Sequence, residues 1–136
     1  MNGSRLRGFT LIELLVVMAI IAMLAALVGP TLFDKLGGSK QKAAAAQLSM
    51  IESALDSYRL DVGKYPRNLE DLNEDSGSNP AWAGPYLKKG IPLDPWGNKY
   101  EYQQPGKHNR KGYDLYSFGA DGRDGGTNED KDVVNW

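Results

Sequence analysis

Residues 7–28 read RGFTLIELLVVMAIIAMLAALV. From Phe9 to Val28 there are 20 residues, and only Thr10 and Glu13 are polar. An apolar run of about 20 residues, at about 1.5 Å rise per residue, spans a bilayer core of about 30 Å. A carboxylate in such a segment is costly, about 2.5–3.5 kcal/mol for a central Asp on insertion scales and less near an end. Glu13 is therefore a candidate functional residue whose partner must be found.

Upstream, MNGSRLRG is short, polar and basic, like a signal-peptide n-region. The apolar run exceeds the 7–15 residues of an ordinary signal core, and no clear A-x-A site ends it. Arg5 and Arg7 precede the run while Lys35, Lys40 and Lys42 follow it, so charge bias barely sets orientation. Downstream, Gly29-Pro30 predicts a kink or local melt, because proline removes a helical hydrogen bond and clashes with the previous turn. Gly37-Gly38-Ser39 is a candidate second break. Helical patterning resumes over 40–62, where Leu48, Ile51, Leu55 and Tyr58 form one apolar stripe. Gly63 is placed to cap this helix. A helix nearly continuous from Phe9 to Val62 would be about 80 Å long.

The second half is rich in Pro and Gly. A short helix is expected at 68–74 with Asn68 as its cap. Strands are expected at about 98–104 and 112–118, around the loop Pro105-Gly106-Lys107-His108-Asn109. Strands this few need the amphipathic helix face as cover. Trp82, Trp96 and Trp136 read as core residues packed on that helix. His108 reads as an exposed turn residue.

The chain has no cysteine, which excludes disulfides, zinc-thiolate sites and thiol chemistry. A net charge of −1 gives no sign of a nucleic-acid binder. No nucleophile elbow or phosphate loop is present, which argues against a membrane-tethered hydrolase.

Gly8-Phe9-Thr10-Leu11-Ile12-Glu13, behind a basic leader and at the head of a 20-residue apolar run, resembles the class III signal of type IV pilins and type II secretion pseudopilins. The resemblance implies a leader over 1–8, a transmembrane and assembly helix over 9–33, and a periplasmic pilin-like domain over 34–136. It implies cleavage by prepilin peptidase between Gly8 and Phe9, N-methylation of Phe9, and an assembly role for Glu13. Cleavage would leave 14 basic against 17 acidic residues. Phe9 and Glu13, four apart, share a helix face, and Glu13 lies where the helix dipole favours an anion. In a bundle, Glu13 would pair with the Phe9 amine of a neighbouring subunit and fix register more than add stability.

Gly63-Lys64-Tyr65-Pro66, Asp94-Pro95-Trp96-Gly97-Asn98, Ser117-Phe118-Gly119-Ala120-Asp121-Gly122 and the Asn135-Trp136 ending narrow the resemblance to the major pseudopilins of type II secretion. The implied fold is α+β and pilin-like: a long N-terminal α-helix packed on a small antiparallel sheet, with a calcium-binding loop. The resemblance implies Ca²⁺ held by side chains of Asp121, Asn128 and Asp130 and carbonyls of Phe118 and Arg123, with Asp132 as a competing ligand or turn cap. Read from composition alone, 121–132 is an acidic solvated tail. The implied partners are further copies in a helical filament, prepilin peptidase, minor pseudopilins, an inner-membrane assembly platform, and lipid before assembly. A type IV pilin is the alternative, disfavoured by the missing cysteine pair. A monomeric calcium-binding receptor domain is another; it would not depend on Glu13.

Overall fold

The computed structural model describes residues 7–136. Chain contacts divide it into two compact units, Met1–Leu36 and Gly37–Trp136. Helix α1, Leu11–Val62, supplies elements to both. Residues 1–6, the first part of the expected leader, lie outside the described residues.

In the first unit α1 leaves its large side chains uncovered; Phe9 is 89% and Leu27 74% exposed. Among the described residues this is the one helix long and apolar enough to cross a membrane. The helix is unbroken at Pro30, against the expected melt. Proline removes one ladder bond there, and the Thr31 hydroxyl donates to the Val28 carbonyl at 2.9 Å in the same turn.

The helix is also unbroken at Gly37-Gly38-Ser39. Gly37 is buried, and a Cβ there would lie 2.5 Å from Cγ of Glu129. Close approach of another segment, rather than a helix break, accounts for this glycine. The helix ends as expected at Gly63, where φ is +85° and the N–H donates to the Arg59 carbonyl at 2.8 Å.

In the second unit the predicted stripe is the core. Leu48, Ile51, Leu55 and Tyr58 of α1 are buried with Leu69, Leu72, Leu87, Tyr100, Tyr113 and Leu115. Burying each such side chain contributes about 1.5–3 kcal/mol relative to exposure. The helix expected at 68–74 is a single 3-10 turn, Leu69–Leu72, which buries both leucines. Asn68 occupies its N-cap position but makes no side-chain cap bond.

The sheet has three antiparallel strands in the order β1 (Glu101–Gln103), β2 (Asp114–Ser117), β3 (Val133–Val134). Tyr102 pairs with Leu115, and Ser117 with Val133. The strands are shorter than expected, and β3 adds a third strand just beyond the acidic stretch 121–132. Trp82 packs against the core, and its indole N–H donates to the Asp71 carbonyl at 2.8 Å. Trp96 is only half-buried and lies outside the core cluster, and Trp136 is 46% exposed. Only Trp82 of the three tryptophans therefore packs against the core cluster.

Candidate functional site

The N-terminal site begins outside the helix. Residues 7–10 are exposed and non-helical, so the Gly8–Phe9 bond lies in open backbone. The Thr10 carbonyl accepts the Leu14 N–H at 3.2 Å, which makes Thr10 the N-cap. The Glu13 N–H donates to Thr10 Oγ1 at 3.2 Å, and the Thr10 N–H donates to Glu13 Oε2 at 3.0 Å. This is a reciprocal capping box, in which each side chain satisfies the other residue's orphan N–H. The T-x-x-E spacing ahead of an apolar run is its sequence signal. Glu13 thus holds its own first turn together in a single chain. Phe9, Ile12, Val16 and Val17 lie beside Glu13 on an exposed apolar face at the head of the helix.

The C-terminal site is the loop between β2 and β3. It turns on Gly119, Gly122, Gly125 and Gly126, all with positive φ. At Gly119 the requirement is double, since a Cβ there would also lie 2.7 Å from the Glu129 carbonyl oxygen. The Ala120 N–H donates to that same carbonyl at 2.9 Å and draws the two limbs of the loop together. Asn128 has φ +54°, tolerated by its short polar side chain, and opens the 3-10 turn Asn128–Asp130.

The five residues implied as ligands all lie on this loop. Asp121, Arg123, Asn128 and Asp130 are exposed, and Phe118 is half-buried with its ring edge-on to Tyr116. Asp121 Oδ1 accepts the Arg123 N–H at 3.1 Å. Asp132 is the carboxylate of this loop that burial perturbs. Its Oδ2 accepts the Gly125 N–H at 2.9 Å, while its Oδ1 is buried without a partner. Burial raises its pKa; the Gly125 N–H opposes this, and the nearby carboxylates of Asp124 and Asp121 raise it further.

Among the described residues no three His, Cys, Asp or Glu side chains converge as a metal cluster. The loop still crowds like charges around an orphaned carboxylate oxygen. Its donors are carboxylates, an amide and carbonyls, the oxygen set that suits a hard cation such as calcium. The donor chemistry fits the ion, and Asp124 joins Asp132 among the candidates.

The loop is tied to α1 by groups that sequence reading missed. Nε2 of Gln41 donates to the carbonyls of Asn128 (3.1 Å), Glu129 (3.3 Å) and Lys131 (2.9 Å). Lys40 Nζ lies 3.8 Å from Glu129 Oε1, and Glu129 packs over Gly37.

Two further motifs support the site. Oδ1 of Asp94 accepts the N–H groups of Trp96 (3.1 Å) and Asn98 (2.8 Å), closing the Asp94-Pro95-Trp96-Gly97-Asn98 turn. Asn135 accepts the Leu115 N–H at 3.0 Å through Oδ1 and donates to Glu52 at 3.3 Å through Nδ2, joining the chain's end to β2 and α1. Trp136 stacks on His108 with ring centres 3.9 Å apart.

An exposed apolar helix with a cap-bonded acid, continued into the helix that helps build the core of a small α+β domain, places the chain in the pilin-like class, with one helix long and apolar enough to cross a membrane among the described residues. Comparison with known proteins agrees. A model described as "Prokaryotic N-terminal methylation motif" matches residues 3–29, and one described as "Type II secretion system (T2SS), protein G" matches residues 31–136. Type II secretion system core protein G of Pseudomonas aeruginosa is 44% identical, over 100% of this chain and 99% of that protein. The protein of that name from Escherichia coli is 42% identical, over 96% and 90%. The crystal structure of the major pseudopilin from the type 2 secretion system of enterohaemorrhagic Escherichia coli matches with a TM-score of 0.61 and 29% identity, over 79% of this chain and 95% of that one. The chain belongs to the type II secretion system protein G family, and the type IV pilin alternative falls away.

Proposed function

We propose that the chain is the major structural subunit of a type II secretion pseudopilus, and not an enzyme. Its copies polymerise into a helical filament that drives folded proteins across the outer membrane. One observation carries this reading: the protein G match spans the head domain while the methylation motif spans the capped, acid-bearing helix that precedes it.

Before assembly the apolar part of α1 sits in the inner membrane, with the head in the periplasm. Prepilin peptidase cuts the exposed Gly8–Phe9 bond, which frees an amine on Phe9, the group then methylated. Glu13 is held in its turn by Thr10 through Oε2. On docking, its carboxylate meets the Phe9 amine of an adjoining subunit, which removes the cost of an unpaired acid away from water. An inner-membrane assembly platform and minor pseudopilins are the further partners.

Calcium is the proposed structural cofactor of the terminal loop. Asp121, Asn128 and Asp130 and the carbonyls of Phe118 and Arg123 would hold it, with Asp124 or Asp132 in competition. When bound it supplies positive charge that offsets the crowding of these carboxylates.

The test replaces the resident gene with the Glu13→Ala form. The protein should still reach the inner membrane while secretion and filament formation, seen by electron microscopy, are lost. Filaments and secretion at normal levels would sink the proposal, as would working filaments whose subunits retain residues 1–8.

A further inference from the structure

Gln41 makes contacts out of proportion to its place on a partly exposed helix surface. One amide nitrogen serves three main-chain carbonyls, 87 to 90 residues away, and all three flank or belong to the turn Asn128–Asp130. An amide nitrogen has two hydrogens, so at least one is shared between carbonyls. Glu129 adds two contacts to the same stretch of α1, with Lys40 and over buried Gly37. Glycine inside a helix is less favourable than alanine. The Gly37 gap is therefore a cost accepted so that Glu129 can lie against the helix.

We infer that Gln41 is the positioning residue of the terminal loop: it latches the turn bearing Asn128 and Asp130 to the α1 stretch 37–41, so that cation binding and the order of that stretch form one equilibrium. The inference rests on the calcium reading above. The main-chain carbonyls of the turn are engaged by the helix, which fixes the turn's backbone and with it the origin of the Asn128 and Asp130 side chains. A loop that is already held loses less entropy when it closes on an ion. Coupling of this kind is reciprocal. If Gln41 strengthens ion binding by some factor, the ion strengthens the latch by the same factor.

The full chain in detergent micelles provides the test, with calcium affinity read by calorimetry and amide hydrogen exchange read along α1. Gln41→Met keeps the side chain's length and removes the donor; it should bind calcium about tenfold more weakly. Gln41→Lys restores a donor and should recover most of the affinity. Calcium should slow exchange over residues 39–44 in the parent protein and not in Gln41→Met. Gly37→Ala is the second variant, chosen because it raises helix propensity and leaves the fold secure. Its methyl displaces Glu129, so it should weaken calcium binding while slowing exchange within α1. If the parent binds calcium and Gln41→Met binds it equally well, the latch is overturned and the calcium reading survives. If the parent binds no calcium, the calcium reading fails and the coupling fails with it.

Discussion

The buried Ser117 hydroxyl donates to the buried carboxylate of Asp94 at 2.6 Å, while its oxygen accepts the Gly119 N–H at 3.1 Å. One hydroxyl thereby links the 94–98 turn, the end of β2 and the first bend of the terminal loop. Ser117→Ala leaves Asp94 Oδ2 without its donor in a dry setting. The expected cost is about 1–3 kcal/mol, or roughly 5–15 °C in melting temperature for a head of this size. A double-mutant cycle with Asp94→Ala should show a clear coupling energy, and additive effects would mean that the bond contributes nothing.

Asp114 predicts the acid limb of stability. It is 2% exposed. The N–H groups of Lys107, His108 and Asn109 donate to its carboxylate at 2.7–3.0 Å, and His108 Nδ1 lies 3.2 Å away. Burial pushes its pKa up, but these hydrogen bonds outweigh burial and hold it below the ordinary carboxylate value. A depressed folded pKa adds stability that is complete above the unfolded value of about 3.9 and is lost as pH falls through the folded value. Melting temperature should drop steeply below about pH 4 in the parent. In Asp114→Asn it should start lower at neutral pH and fall less on acidification. Parallel curves for the two proteins would refute this account.

Thr10→Ala removes one half of the capping box. The first turn should weaken by about 0.5–2 kcal/mol. Hydrogen exchange at residues 11–14 should quicken in micelles, while membrane insertion, which depends on the apolar run, stays intact. Unchanged exchange would mean that the cap does not hold the turn in lipid.

Much of this architecture is legible in the sequence, and the boundary of what is legible has a physical cause. The stripe Leu48, Ile51, Leu55, Tyr58 is periodic, and period alone selects the buried face. Pro30 and Gly37 mislead because local preference points to a break, whereas a continuing helix and a tertiary contact override it. Val133–Val134 is too short a strand to show an alternating pattern and forms through its pairing with β2. The loop's composition announces oxygen donors, but the orphaned oxygen of Asp132 and the reach of Gln41 across 87 residues are products of the fold. His108 is exposed, as its loop setting indicates, and only its partners, the Asp114 carboxylate and the Trp136 ring, are products of the fold.

Calcium removal separates a cation loop from an acidic tail. A ligand that binds only the folded state stabilises by mass action, about 2.7 kcal/mol when free ligand is 100 times its dissociation constant. Chelation should therefore lower the melting temperature of the full chain in micelles by several degrees. The loss should be undone by calcium and poorly by magnesium, which demands tight octahedral geometry and gives up water reluctantly. Asp121→Asn and Asp130→Asn should each blunt the calcium response. With calcium absent these variants should match or exceed the parent in stability, because the loop's like charges then repel without compensation. If every acid-to-amide change stabilises the head whether calcium is present or not, the residues are only a solvated charge cluster and the loop holds no ion.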